Sequence, residues 1–316
     1  MGLFEGVRTV ATASGEGAVD WRAVADAAKA ATDAGSVDLT PAEQAGYASD
    51  VREARDRVRA VSGIDFAVPE TVEIQNRHHW IDANVATFRR VLRPLDRRPS
   101  TLPGVARVAN TGSMAASLAF LARHVLGQYD PLFLAEGDPD HGLYFVHPNV
   151  MAAADGLGVD RERFRRWIAF HEVTHAAEFG AAPWLAAHLE SLTTEAVTAF
   201  ANGELRPAAM GELNLTMTAV EGYAELLMDR AFDREYADLR AKLEARRRGG
   251  DPLTRLFRRL FGVGIKRRQY ERGKAFFEAV AAARGLDGAG VVWESPEALP
   301  TDAELDDPAR WLARVP

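Results

Sequence analysis

The chain has 316 residues, 47% of them hydrophobic and 26% charged, a net charge of −7 at pH 7 and no cysteine. This is an ordinary globular composition, long enough to bury a large core, and the missing thiols exclude disulfides, thiolate nucleophiles and Cys-ligated zinc, so any metal must be held by His and carboxylates. No apolar run approaches the ~18 residues of a membrane span and the first residues carry no secretory signal, so a cytoplasmic protein is expected, and the acidic balance disfavours nucleic acid as a partner.

In chain order the pattern is mostly helical. Asp20 to Ala34 is Ala-rich and helix-like. Thr40-Pro41-Ala42-Glu43 combines a capping box with Pro at the first helical position and opens a helix to about Val61. Arg77 to Leu92 and Ser113 to Leu126 are the next two. Pro94, Pro99, Ser100 and Pro103 mark a soft boundary between an N-terminal helical region, residues 1–100, and a region 101–316 that carries the chemistry; the two can equally run on as one domain. Leu132-Phe133-Leu134 and Leu143-Tyr144-Phe145-Val146 flank a turn-rich stretch and read as a β-hairpin. Arg161–Phe179, Ala186–Ala201, Leu213–Phe232, Glu235–Arg248, Lys266–Arg284 and Pro308–Arg314 read as helices. The predicted fold class is mainly α with a small β-hairpin or sheet. Residues 240–274 hold thirteen basic and three acidic side chains, which reads as an apolar face docked on the body with its Arg in solvent, or as an anionic-ligand or membrane-surface segment.

The pentapeptide His171-Glu172-Val173-Thr174-His175 dominates the interpretation. Residues four apart share one helical face, so two imidazoles can meet one ion, while Glu172 is offset by about 100° and suits a general base beside the metal. Asp160 is a fitting N-cap, and Gly180 followed by Pro183 a fitting end. Phe164, Trp167, Ile168, His171, Thr174, His175 and Phe179 recur at helical spacing, so the two His are expected on the buried face of an amphipathic helix. Satisfied core histidines would give the same pattern without a metal.

A catalytic zinc needs a third protein ligand. Glu178, Glu190, Glu195, Glu221, Glu225 and His188 are the candidates downstream. Glu178, on the helix of both His, fits a residue of the surrounding shell or a surface charge. The better source is the segment 213–232, where Glu221 and Glu225 interrupt an apolar stripe and would be costly to bury without a cation. Tyr129, Tyr144 and His147 could donate to a developing oxyanion. There is no Gly-x-Ser-x-Gly nucleophile elbow.

Together, His171 to His175 and Glu221-Gly222-Tyr223-Ala224 resemble the gluzincin arrangement. Leu126 to Asp130, Tyr144 to Asn149, Trp167 to Phe179, Pro183-Trp184-Leu185, Lys266 to Gly273 and Leu299-Pro300-Thr301 are further similar to a prokaryotic zincin-like family of uncharacterised hydrolases, often associated with deazaflavin coenzyme biosynthesis. The resemblance implies a zincin-like metalloprotease fold built on the HExxH helix, zinc held by His171, His175 and Glu221, and Glu225 orienting a ligand His. It also implies that strand 143–146 is an edge strand pairing with extended substrate. Position 223 departs from the pattern, with Tyr where His is commoner. The expectation is a zinc-dependent hydrolase, foremost a metallopeptidase with Glu172 as general base and a peptide or amide substrate. The alternatives are hydrolysis of a small non-peptide amide or ester linked to coenzyme metabolism, and a non-catalytic scaffold with a structural metal.

Overall fold

The computed structural model describes residues 2–14, 17–69, 72–97, 102–130, 142–202, 204, 207–232, 238, 239, 241, 242 and 267–316. Among these the helices are α1 (Gly2–Ala11), α2 (Trp21–Ala30), α3 (Pro41–Ser62), α4 (Arg77–Leu92), α5 (Pro103–Ala122), α6 (His147–Leu157), α7 (Arg161–Ala181), α8 (Leu185–Ala201), α9 (Pro207–Ala231), α10 (Arg267–Gly290), α11 (Asp302–Asp306) and α12 (Pro308–Arg314). Three short strands accompany them, β1 (Val72–Gln75), β2 (Gly127–Asp130) and β3 (Gly142–Val146), so the fold is mainly helical with a small sheet, as the sequence predicts.

Local chemistry sets several of these ends. Thr40 and Glu43 form the expected reciprocal capping box, Pro41 takes the first turn, and α3 stops at Gly63, whose φ of 69° terminates the helix in the left-handed region. The Asn76 side chain accepts from the His79 N–H at 2.9 Å and starts α4, whose limits are those predicted. Helix α5 begins at Pro103 rather than Ser113, and α2 stops at Ala30 rather than Ala34, because the chain turns at Gly35 (φ 72°) and Ala34 accepts from the Arg77 N–H. Helices α1, α6 and α11 and strands β1 and β2 are additions to the sequence reading.

The sheet order is β1-β3-β2. Strand β3 pairs parallel with β1, Val72 opposite Leu143, and antiparallel with β2, Tyr129 opposite Leu143. The expected hairpin partner 132–134 lies outside the described residues. Strand 143–146 is therefore central, not an edge: both its sides are occupied, and β2 is the strand that lies against α7.

A larger core gathers α3, α7, α9, α10, Leu143 and Phe145 of β3, and Trp293 and Trp311; a smaller one joins α2, α4 and α5 around Trp80, Ile81 and Val146. Helix α7 runs through the larger core with α3, α9, α6 and β2 around it. Its fully buried Phe164, Ile168, Phe170 and Val173 each contribute about 1.5–3 kcal/mol. Enclosure on several sides corrects the amphipathic expectation. Glu172, Thr174 and Glu178 are buried, whereas Trp167, His171, His175 and Phe179, four residues apart, form the partly exposed strip of the helix.

Two contacts hold this assembly in place. Arg165 of α7 donates to Asp50 of α3 at 2.7 Å, with both side chains nearly buried and the guanidinium 5.3 Å from the Tyr47 ring centre. Helices α9 and α10 cross at Gly222 and Gly273, where a Cβ on either residue would run into the other helix's backbone. Here glycine is required by close approach rather than by an unusual dihedral. Most of the basic stretch 240–274, and the predicted helix 235–248, fall outside the described residues; Lys242 donates to the Gly158 carbonyl at 3.0 Å.

Candidate metal centre

The Asp160 side chain caps α7 by accepting from the Arg163 N–H at 2.9 Å, and one turn after another brings Phe164, Trp167, His171 and His175 along the helix. The indole of Trp167 stacks on the His171 ring at 5.7 Å with 9° between planes, and the His175 ring stands edge-on to His171 at 4.7 Å and 78°. These contacts limit how either imidazole can turn. The two Nε2 atoms face each other at 3.3 Å. Helix α8 leads the chain away and α9 returns it against α7, so Glu221 arrives beside the pair. One ligand atom each from His171, His175 and Glu221 all lie within 4.8 Å of one another, and no other such His/carboxylate group occurs among the described residues.

The donor set fits zinc. Tetrahedral coordination with Zn–N bonds of about 2.0–2.1 Å separates two nitrogens by about 3.3 Å. Two imidazole lone pairs cannot face each other at that distance unless a cation, a proton or a metal ion, lies between them. The electrostatics point the same way. Burial alone would push His175 down, but its hydrogen bond to Glu178 and the charges of Glu178, Glu221 and Glu172 prevail and bring it up to about 10. The carboxylates around the ring thus favour positive charge here.

Glu172 is buried beside this group and points to the sheet. Its Oε2 accepts from the Tyr129 N–H of β2 at 2.9 Å. Burial pushes its carboxyl up to about 7, against the pull of His175 and the Tyr129 N–H, with Glu221 adding to the rise. Gly127 makes room for it, since a Cβ there would lie 2.7 Å from the Glu172 Cγ. Tyr129 packs its ring 5.8 Å from Phe179. Gly127 thus belongs to the site, and the signal for it lay in the Leu126 to Asp130 stretch.

The structure joins four of the sequence-derived residues, His171, Glu172, His175 and Glu221. Glu178 is fully buried, and its Oε2 accepts from His175 Nδ1 at 2.8 Å, so it belongs to the shell around the ligands and not to the surface. Glu225 lies one turn past Glu221 on α9 and is half-buried. The other candidates sit among different neighbours. His147 Nδ1 shares a hydrogen bond of 3.1 Å with the Tyr47 hydroxyl, and its charged surroundings are Glu43, Arg165 and Arg161. Tyr144 folds over Gly142 and feels Glu73 and Asp130. Glu190 pairs with Arg90 at 2.7 Å, and His188 packs edge-on against Trp184.

Comparison with known proteins agrees with this architecture. The family described as zincin-like metallopeptidase matches residues 19–205 and 197–312. A crystal structure from Chloroflexus aurantiacus, described as that of a candidate hydrolase with a novel fold, is 30% identical and superposes with a TM-score of 0.79 over 94% of this chain and 98% of its own. No curated protein matches. None of the described helices is long and apolar enough to cross a membrane. With both the HExxH helix and the returning Glu221 helix inside the matched region, the chain belongs to the zincin-like metallopeptidase family.

Proposed function

We propose that the protein is a zinc-dependent hydrolase that cleaves a peptide or amide bond, with His171, His175 and Glu221 as the metal's ligands and Glu172 as the general base. The observation that carries this reading is the facing pair of Nε2 atoms at 3.3 Å with the Glu221 carboxylate beside them and a buried Glu172 adjoining. When bound, zinc supplies Lewis acidity, drawing electron density from a carbonyl oxygen and lowering the pKa of water.

The chain's own residues do the rest. A carboxyl raised to about 7 can take a proton near neutrality and give it up again, so Glu172 removes the proton of the attacking water and later delivers one to the leaving amine. The Tyr129 N–H holds Oε2, which leaves Oε1 as the atom for that exchange. Gly127 and Tyr129 share the outward parity of β2, and with the Tyr129 N–H given to Glu172 the Gly127 N–H and the two carbonyls are the main-chain groups left for an extended substrate laid along this edge. Glu225, one turn past Glu221 on the same half-buried strip, is assigned the orientation of a ligand His. Tyr144 and His147 are left out of the mechanism, their neighbours being elsewhere. A scaffold with a structural metal would have no use for Glu172, a buried carboxylate beside the ligands that neither binds the metal nor holds a ligand imidazole.

The test is elemental analysis of the purified protein, followed by turnover of a mixture of short peptides. About one zinc per chain, and cleavage abolished by chelation and restored by zinc, are expected. A protein that takes up no transition metal after zinc reconstitution would sink the reading.

A further inference from the structure

Glu178 is a wholly buried carboxylate that the proposed hydrolysis does not consume. Its Oε2 is 2.8 Å from His175 Nδ1. Its Oε1 is buried and, among the described residues, has no hydrogen-bond partner. Against it on α9 lie the Ala224 main chain and Tyr223, whose hydroxyl is likewise buried without a partner among the described residues. An acceptor and a donor, each lacking a mate, thus lie on the two helices that carry the metal ligands, the phenol near enough to feel the carboxylate's charge. Buried polar groups are rarely left so, and a phenol is the neutral donor that a carboxylate in an apolar setting accepts from best.

We propose that Glu178 and Tyr223 are positioning residues for His175: Glu178 accepts the Nδ1–H, and the Tyr223 hydroxyl serves the carboxylate's second oxygen. An imidazole that gives Nδ1–H to a carboxylate presents its lone pair at Nε2. Nε2 is the atom that faces His171, so the tautomer fixed by Glu178 is the one that a metal at this site requires. The device sits within α7 itself, three residues past the ligand, and differs from the orienting role assigned to Glu225. The inference rests on His175 being a metal ligand, and the experiment separates the two.

Zinc affinity is measured by chelator competition for the wild type, Glu178→Gln and Tyr223→Phe, alongside thermal unfolding. The hydrogen-bonded Nδ1–H of His175 is followed by proton and nitrogen NMR in metal-free protein. Glu178→Gln should weaken zinc about 10–100-fold, and Tyr223→Phe should weaken it in the same direction by less. The downfield Nδ1–H resonance should be present in the wild type and move upfield in Glu178→Gln. Unchanged zinc affinity in a folded Glu178→Gln, or a wild type without that hydrogen-bonded proton, would overturn the proposal. A variant that only unfolds at lower temperature while binding zinc like the wild type marks Glu178 as merely structural, and overturns it too. Should Glu178→Gln not fold, Tyr223→Phe and the wild-type resonance still decide. A wild type that binds no zinc but shows the His175–Glu178 proton would instead defeat the proposed function and leave the orientation standing.

Discussion

Helix α7 is held by buried carboxylates at two places, and they are unlike. Near its start, Asp50 meets Arg165: burial pushes the Asp50 carboxyl up, the guanidinium pulls it back, and one acid faces one permanent cation. Two turns later Glu172, Glu178 and Glu221 surround His171 and His175, three acids around two imidazoles and no permanent cation. The first group is complete without anything bound. The second has its charge balanced when protons or a metal ion join it. A buried acid matched to an Arg fastens elements together, whereas a surplus of buried acids marks a place prepared for a cation.

The sharpest way to break that contrast is at the base. Glu172→Gln should reduce hydrolysis by about 10²–10⁴-fold with zinc content unchanged, measured as turnover against bound metal. Retained turnover would place the base elsewhere.

Next come paired substitutions at the two carboxylate groups. Glu221→Ala should abolish zinc binding, while Asp50→Ala should leave the affinity of the folded protein unaltered and cost about 3–5 kcal/mol in chemical denaturation, the penalty for stranding a buried Arg. Loss of zinc affinity in folded Asp50→Ala would show that the two groups are one coupled network.

A smaller effect is expected at Gly127. A methyl there displaces Glu172, so Gly127→Ala should lower turnover about tenfold or more, keep zinc, and cost about 1–3 kcal/mol. Turnover equal to the wild type would mean that the base tolerates a shift of its carboxylate.

The smallest concerns a further acid, paired between α11 and α12. Arg314 donates to both Glu304 oxygens at 2.6 and 2.8 Å and holds that carboxyl at about 2, below its ordinary 4.5. The pair's contribution is complete above 4.5 and is lost as pH falls through about 2. Arg314→Met should therefore flatten the acid limb of the stability curve in that window and leave zinc binding alone; an unchanged limb would remove this pair from the structural class.

Much of the candidate site was legible in the sequence because its information is local or carried by motif. Two His four apart fix their own face, and Thr40 with Glu43, or Asn76 with the following turn, start helices from adjacent residues. What could not be read depends on partners far along the chain. The parallel pairing of Val72 with Leu143 has no local signature, so the sequence presents β3 as an edge and does not reveal β2 as the strand beside Glu172. The apolar stripe of α7 misled for a related reason. A helix enclosed on several sides is apolar nearly all round, and its periodicity no longer says which strip is open. Glu178 was readable as a shell residue or a surface charge, and only the fold decides, by closing α9 over it.

The glycine crossing of α9 and α10 has a consequence for dissecting the protein. Glu221 stands next to Gly222, and Gly222 lies against Gly273, so the ligand's neighbour is pressed onto a helix that begins only at Arg267. A fragment ending after α9 would contain every proposed ligand and the base, yet it would bare the flank of the very turn that carries Glu221. Such a fragment should neither fold soundly nor hold zinc by itself, and supplying the C-terminal piece in trans should restore both, the outcome expected when a catalytic motif and its buttress are separate halves of one folding unit.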